Sequence, residues 1–357
     1  MNPGTLIPAP DAIPVPWGWF YALLMLTFLL HILVMNAMLG GGIITLISTL
    51  RSGKQDNLVA REFSYKWPYT IAFAVNMGVA PLLFVQVLYG QFYYTSSILM
   101  AVCWFSIFGL LILAYYAAYV YDFKFDLLGT WRVFVISFAV LLMLTIAFFF
   151  VNNMTLMLQP AQWGAYFKAA GGTLLNLGDP ILVPRYLHFV VGSVAVAGLY
   201  LALIGHFGYT KSKVDPKALV EKGLQYFTLA TGIQVVFGIW FLLSLPREIM
   251  MLFMGGSAYG TGLLTAGLIL AGVALYYGVR RRPIGASVTA LVLVTVMVFM
   301  RDLVRIAYLK PWFELSHLEV RPEYSPLIFF LVIFAVGLGM IGYMLKLVFR
   351  CPREVSE

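Results

Sequence analysis

Nine stretches of the chain run for about twenty residues or more with almost no charge, and short polar segments separate them. An α-helix needs ~20 apolar residues to cross a bilayer, so each stretch reads as a spanning helix. The pattern predicts spans at 17–50, 67–92, 98–121, 133–157, 187–207, 223–245, 257–279, 284–308 and 325–348. No connecting segment exceeds about 30 residues, which leaves no room for a soluble domain. The expectation is an all-α integral membrane protein, with residues 1–357 forming one polytopic domain.

The polar segments alternate in basic content. Sixteen of the 23 Lys and Arg residues fall on one side: Arg51, Lys54, Arg61 and Lys66; Lys124 and Arg132; Lys211, Lys213, Lys217 and Lys222; Arg280 to Arg282; Lys346, Arg350 and Arg353. The other side has Lys168, Arg185, Arg247, Arg301, Arg305, Lys310 and Arg321. Basic loops stay in the cytoplasm, so the N-terminus is expected outside and the C-terminus inside, in a bacterial inner membrane. Met1–Pro16 lacks the basic stretch that opens a signal peptide.

Composition agrees: 62% of residues are hydrophobic and 11% charged, against about 25% charged in soluble domains. The net charge of +8 sits in the orienting loops and does not indicate nucleic-acid binding. Cys103 and Cys351 form no disulfide framework, zinc motif or CxxCH haem attachment site.

One span breaks the apolar rule. Arg301, Asp302 and Arg305 arrive within one and a half turns of the eighth span. A charge at the bilayer centre costs ~2.5–3.5 kcal/mol on insertion scales, less near the ends. Such residues snorkel as a self-neutralising pair, face a protein interior or hold something charged. The i,i+3 and i,i+4 spacings put all three on one face.

Histidine is the other unusual side chain. His31 lies deep in the first span and His188 in the outer leaflet of the fifth. Buried imidazole in a membrane ligates haem, relays protons or bonds helices together. Arg185 precedes His188 by one turn, and Gly192 one turn after leaves room for a flat macrocycle. His206 stands ~27 Å along the helix from His188, too far to share a cofactor; with the loop residue His317 it reads as surface. The run Gly40, Gly41, Gly42 permits close approach of a helix or a flat ligand.

Taken in order, these features resemble subunit I of the cytochrome bd-type quinol oxidases, over nearly the whole chain. LLHILVMNAMLGGGI is similar to the family's first helix, whose histidine ligates the high-spin haem b; that places His31 on iron. AREFSYKWPYTIAFAVNMGVAPLLFVQVLYGQFYYTS resembles the next loop and helix, with Gln86 where the family has a glutamate. RYLHFVVGSVAVAGL is similar to the fifth helix, placing His188 on the low-spin haem b. The sequence DLVR, Asp302 to Arg305, sits where the family has an acid, two residues and an arginine beside the high-spin haem.

The departures are as informative. The third span has no carboxylate before Asp122, with Leu111 and Tyr119 near the family's two glutamates, so a haem d iron and a proton route lose their acids. Only 246–256 remains of the quinol loop. Thr261 falls near the family's axial methionine; Met250, Met251 and Met254 are neighbours, with Met254 a weak candidate. Val298 replaces a tryptophan.

The resemblance implies a haem b-binding subunit of a respiratory electron-transfer complex, with haem d doubtful. His31 and His188 would be iron ligands. Asp302 would lie at the high-spin haem, and Arg301, Arg305 and Arg185 would meet propionates. A periplasmic c-type cytochrome or another membrane subunit is the implied partner, and quinone use stays open. The alternatives are a divergent terminal oxygen reductase and a haem-free membrane scaffold.

Overall fold

A computed structural model describes residues 3–51, 53–168, 170–211 and 215–350. Lys213, Cys351 and Arg353 lie outside these residues, as do the side chains of Lys54 and Arg350. Among the described residues the fold is helical, and nine helices are long and apolar enough to cross a membrane. They are α1 (Trp17–Arg51), α3 (Trp67–Leu99), α4 (Ala101–Phe123), α5 (Arg132–Met157), α7 (Leu182–Phe207), α8 (Pro216–Ser244), α10 (Ala258–Val279), α11 (Pro283–Leu309) and α12 (Tyr324–Arg350). Shorter helices α2 (Lys54–Ser64), α6 (Pro160–Trp163) and α9 (Arg247–Met251) lie in the connections.

Small residues set how closely the spans approach. A Cβ on Gly40 of α1 would stand 2.0 Å from the Ser193 carbonyl oxygen of α7. Gly198 of α7 and Gly223 of α8 face each other, each against the other's carbonyl oxygen at 2.6 and 2.5 Å from a hypothetical Cβ. Gly42 lies against Trp67, whose indole donates to the Met38 carbonyl at 2.9 Å. The three-glycine run therefore packs on protein: Ser193, Phe63 and Trp67 fill the space beside it.

The end of the bundle that carries the basic loops is tied by internal pairs. Arg61 of α2 donates to the Asp122 backbone carbonyl at 2.8 Å and stacks 4.2 Å over Tyr65. Lys222 meets Asp56 at 3.1 Å, and Glu62 pairs with Lys66 while accepting the Lys211 backbone N–H at 3.0 Å. Helix α2 buries Val59, Ala60 and Phe63, and its fully buried charge, Glu62, is held by Lys66 and the Lys211 N–H.

At the opposite end, α3 carries Pro81 inside the helix and departs from helical geometry at Tyr89 (φ −136°, ψ 30°). Between α5 and α7, buried amides organise the loop: Asn152 accepts the Asn176 backbone N–H at 3.1 Å. Helix α12 is different from the rest, exposed along nearly its whole described length. Just before it, Ile13 donates to the Glu319 carbonyl at 2.8 Å and accepts from Arg321 N–H at 2.9 Å, tying the N-terminal segment there.

Candidate functional site

Four spans converge at the end of the bundle opposite the basic loops. Asp302 of α11 is 2% exposed, Arg305 4% and Arg185 of α7 6%. Tyr21 of α1 donates to Asp302 Oδ2 at 2.7 Å. The Arg305 guanidinium reaches Asp302 Oδ1 at 3.4 Å and lies 5.1 Å over the Tyr89 ring of α3. Arg301 stacks on Phe28 of α1 at 4.2 Å from the ring centroid. Arg185 lies within electrostatic range of Arg301 and Arg305 from the α7 side. All four ionisable residues singled out at this end of the sequence thus meet in one place.

The charges do not balance. Arg301 and Arg305 face Asp302, and the acid acting on Arg185 is Asp179 in the loop before α7, so three guanidiniums stand with two carboxylates. Arg305 Nη1 and Nη2, Arg301 Nε and Asp302 Oδ1 are sealed from solvent without a hydrogen bond of ordinary geometry. Native proteins pair more than about 90% of buried polar groups. An arginine fork left open in a buried site is shaped for a carboxylate or phosphate.

Both histidines lie one turn deeper than this cluster. His31 follows Phe28 by three residues and His188 follows Arg185 by three, a rise of ~4.5 Å along each helix. His31 Nδ1 is 3.1 Å from the Ala74 carbonyl oxygen of α3. A carbonyl only accepts, so Nδ1 carries the hydrogen and Nε2 keeps the lone pair in the neutral ring. A backbone bond at the distal nitrogen is how metal-ligating imidazoles are oriented. Gly78 lies against the same ring, where a Cβ would stand 2.9 Å from Cε1.

His188 packs on a glycine of α8 in the same way. A Cβ on Gly238 would stand 3.2 Å from its Cε1, and the Phe241 ring lies 6.4 Å away. His188 Nδ1 is buried without a hydrogen bond of ordinary geometry, and so is Gln234 Oε1 one turn along α8. Gly192 does not leave an open slot: the Gln234 amide occupies it, 3.0 Å from where a Cβ would be.

Beyond the histidines, a groove of about 370 Å³ runs between α1, α3, α7 and α11. Its lining is apolar apart from Thr70, Tyr200 and Ser287. Each helix thus presents arginine or aromatic residues first, the histidine level next and the groove last.

Other sequence-predicted positions fall elsewhere. Gln86 accepts from Tyr94 at 3.3 Å on α3. Met254 is 51% exposed in a distorted turn, Leu252–Gly256, which distinguishes it from the buried imidazole it would have to reach. Thr261 accepts the Gly255 N–H at 2.9 Å, and Gly255 takes φ +103°, so Thr261 pins that turn. Leu111 packs beside the cluster around Tyr121, and Tyr119 stacks between Tyr115 and Phe123. His206 and His317 are exposed, and Val298 is core.

Sequence reasoning missed Tyr21, Phe28 and Tyr89, which complete the cluster. Their spacing from His31 along α1 carries a weak signal for the first two; the abundance of aromatics at membrane interfaces hides it. Tyr21→Phe removes the 2.7 Å bond and leaves Asp302 Oδ2 without a partner. The expected cost is ~1–3 kcal/mol, read as earlier thermal unfolding in detergent.

Among the described residues no three His, Cys, Asp or Glu side chains come together as a site for a free metal ion. A metal held here by His31 or His188 would therefore arrive with most of its own ligands. Each imidazole stands singly, His31 against Gly78 and His188 against Gly238, one turn from the buried guanidiniums. Compared with protein-family models, curated proteins and solved structures, the chain matches none.

Proposed function

We propose that this chain is a haem b-binding membrane subunit of a respiratory electron-transfer complex, similar to subunit I of the bd-type oxidases. The observation that carries the reading is a cluster of three guanidiniums and two carboxylates, Asp302 and Asp179, beside two imidazoles in the membrane, with guanidinium nitrogens of Arg301 and Arg305 sealed without a hydrogen bond of ordinary geometry. His31 and His188 would each offer a ring nitrogen to iron. Arg301, Arg305 and Arg185 would hold the propionates by charge-assisted bonds. Tyr21 fixes Asp302, and Asp302 in turn orients Arg305. Haem supplies one-electron chemistry when bound; the chain binds it, orients it and keeps water from it.

The positive-inside reading puts this end on the periplasmic side. A c-type cytochrome there, or a further membrane subunit, is the proposed exchange partner. The groove below the histidines is apolar enough for a quinone tail, but nothing lining it favours a quinone head over a lipid. A terminal oxygen reductase is the second reading. Against it stand the carboxylate-free middle of α4 and the packing of Leu111 and Tyr119 into apolar and aromatic neighbours. A haem-free scaffold is the third, in which the imidazoles only join helices.

Copurified haem separates the first two readings from the third, and oxygen consumption separates the first from the second. Asp302→Asn keeps the shape but removes the charge that opposes Arg305. It should perturb the high-spin spectrum more than the low-spin one. Equal perturbation of both would contradict the assignment of Asp302 to the high-spin site.

A further inference from the structure

One carboxylate near the arginine cluster is not used by the site described above. Asp179 lies in the loop before α7 and is 7% exposed. Its Oδ2 accepts from Gln159 Nε2 at 2.8 Å and from Asn176 Nδ2 at 3.2 Å. Its Oδ1 accepts the Ile181 N–H at 3.1 Å. Among the described residues the titratable groups acting on it are Arg185, at the start of α7, and Tyr308 of α11. It forms no ion pair with Arg185 within 4.0 Å, so it feels that charge without being locked to it.

The surroundings of Asp179 connect it outward. Asn176 reaches Gln159 Oε1 at 3.4 Å and Thr155 at 3.5 Å, and its backbone N–H is held by Asn152. Asn152 Nδ2 is fully buried with no partner, a donor left over in the same network. Asn176 and Gly178 also line a cavity of about 160 Å³, bordered by Gln162 and Ala165. That is room for several waters, and the network offers the polar partners they need. Burial pushes the Asp179 carboxyl up from its ordinary value, against the Ile181 N–H, Arg185 and the Gln159 amide. The amides of Gln159 and Asn176 can turn their oxygens toward Asp179, so the protonated form also finds acceptors.

We infer that Asp179 is a proton-exchange site of the outer end, taking a proton from the aqueous phase through the Asn176 cavity when the site beneath Arg185 gains an electron. This rests on the haem reading of that site. The step balances as one electron from a one-electron donor and one proton from water-accessible bulk, leaving the net charge unchanged. Arg185 carries the coupling: its charge acts on Asp179 and on Arg301 and is acted on by Arg305, and His188 follows it by one turn. Added negative charge beneath Arg185 reduces the positive field at Asp179 and raises its hold on a proton.

The test is a redox titration of the purified complex at pH 5 to 8, with dithionite as reductant. The wild-type low-spin midpoint should fall as pH rises, approaching ~59 mV per unit where one proton accompanies one electron. Asp179→Asn should flatten that slope while keeping the pigment, and Asp126→Asn, exposed at the end of the bundle that carries the basic loops, should leave both slope and pigment unchanged. A protonated-carboxyl band should appear on reduction in the wild-type infrared difference spectrum and vanish in Asp179→Asn. A pH-independent wild-type midpoint overturns the inference even if the variant fails to accumulate. So does a slope that survives in Asp179→Asn. A complex without haem overturns instead the reading beneath it, and this inference with it.

Discussion

His188→Ala is expected to abolish one low-spin haem b signal in the purified complex while the protein still folds. The imidazole sits between α7 and α8 with Gly238 against its ring, and the one α8 backbone group it interacts with is that of Gln234. Truncation removes side-chain volume from the α7–α8 contact, but the close backbone approach lies deeper, at Gly198 and Gly223. The packing cost should resemble other large-to-small changes, ~2–5 kcal/mol at most. A ligand loss, by contrast, is all or none for the low-spin spectrum. An unchanged spectrum in a folded His188→Ala protein would remove His188 from the iron.

Gly40→Leu should prevent the bundle from assembling. Even the first carbon of the new side chain would overlap the Ser193 carbonyl, at 2.0 Å, and stand 2.8 Å from Ala197. Backbone atoms cannot step aside as a flexible side chain would. Overpacking of an ordinary core costs ~1–3 kcal/mol, occasionally more, and a backbone collision belongs at the upper end. The displaced partner is α7, which also carries Arg185 and His188. Gly40→Leu is therefore expected to lower the membrane yield of folded protein and, in whatever accumulates, to lose haem with it. Size-exclusion profiles in detergent would show the loss directly. A monodisperse variant at wild-type yield would contradict the account of the α1–α7 contact. Glycine at 41 is a milder case, since the Phe63 ring, at 3.1 Å, can shift.

The spans were legible because a long uncharged run has few alternatives to a membrane helix. Their ends were less so. The second was expected to stop at residue 92, yet α3 continues to Leu99. Its polar and aromatic tail reads as loop in sequence, but Phe92 packs on Trp163 and Phe313, and Ser96 bonds Asn153 at 3.3 Å. The sixth was expected to begin at 223, yet α8 starts at Pro216 behind an Asp215 cap, because the amphipathic turn PKALVEK buries Leu219. Helix α2 hid in a segment that charge alone marked as connecting.

The cluster was half visible. Arg301, Asp302 and Arg305 betray themselves because charge in a span has to be justified. Tyr21, Phe28 and Tyr89 do not, since aromatics in membrane helices are common and only the fold shows which ones stand over a guanidinium. Gly78 and Gly238 were equally silent: a glycine's neighbour across a helix interface is not written beside it in sequence. Gly192 misled in the opposite direction, its apparent vacancy being filled by Gln234 from a helix some forty residues away.

The most direct measurement is a pyridine haemochrome assay, with a dithionite-reduced-minus-oxidised spectrum, on the complex purified from its native membrane. The account predicts haem b attributable to this chain and no haem d band, with any haem c belonging to partner subunits. A haem d band would contradict the electron-transfer reading in favour of an oxygen reductase. A complex free of haem b would contradict the central claim, leaving the buried arginines to some other anion and the two histidines to helix packing.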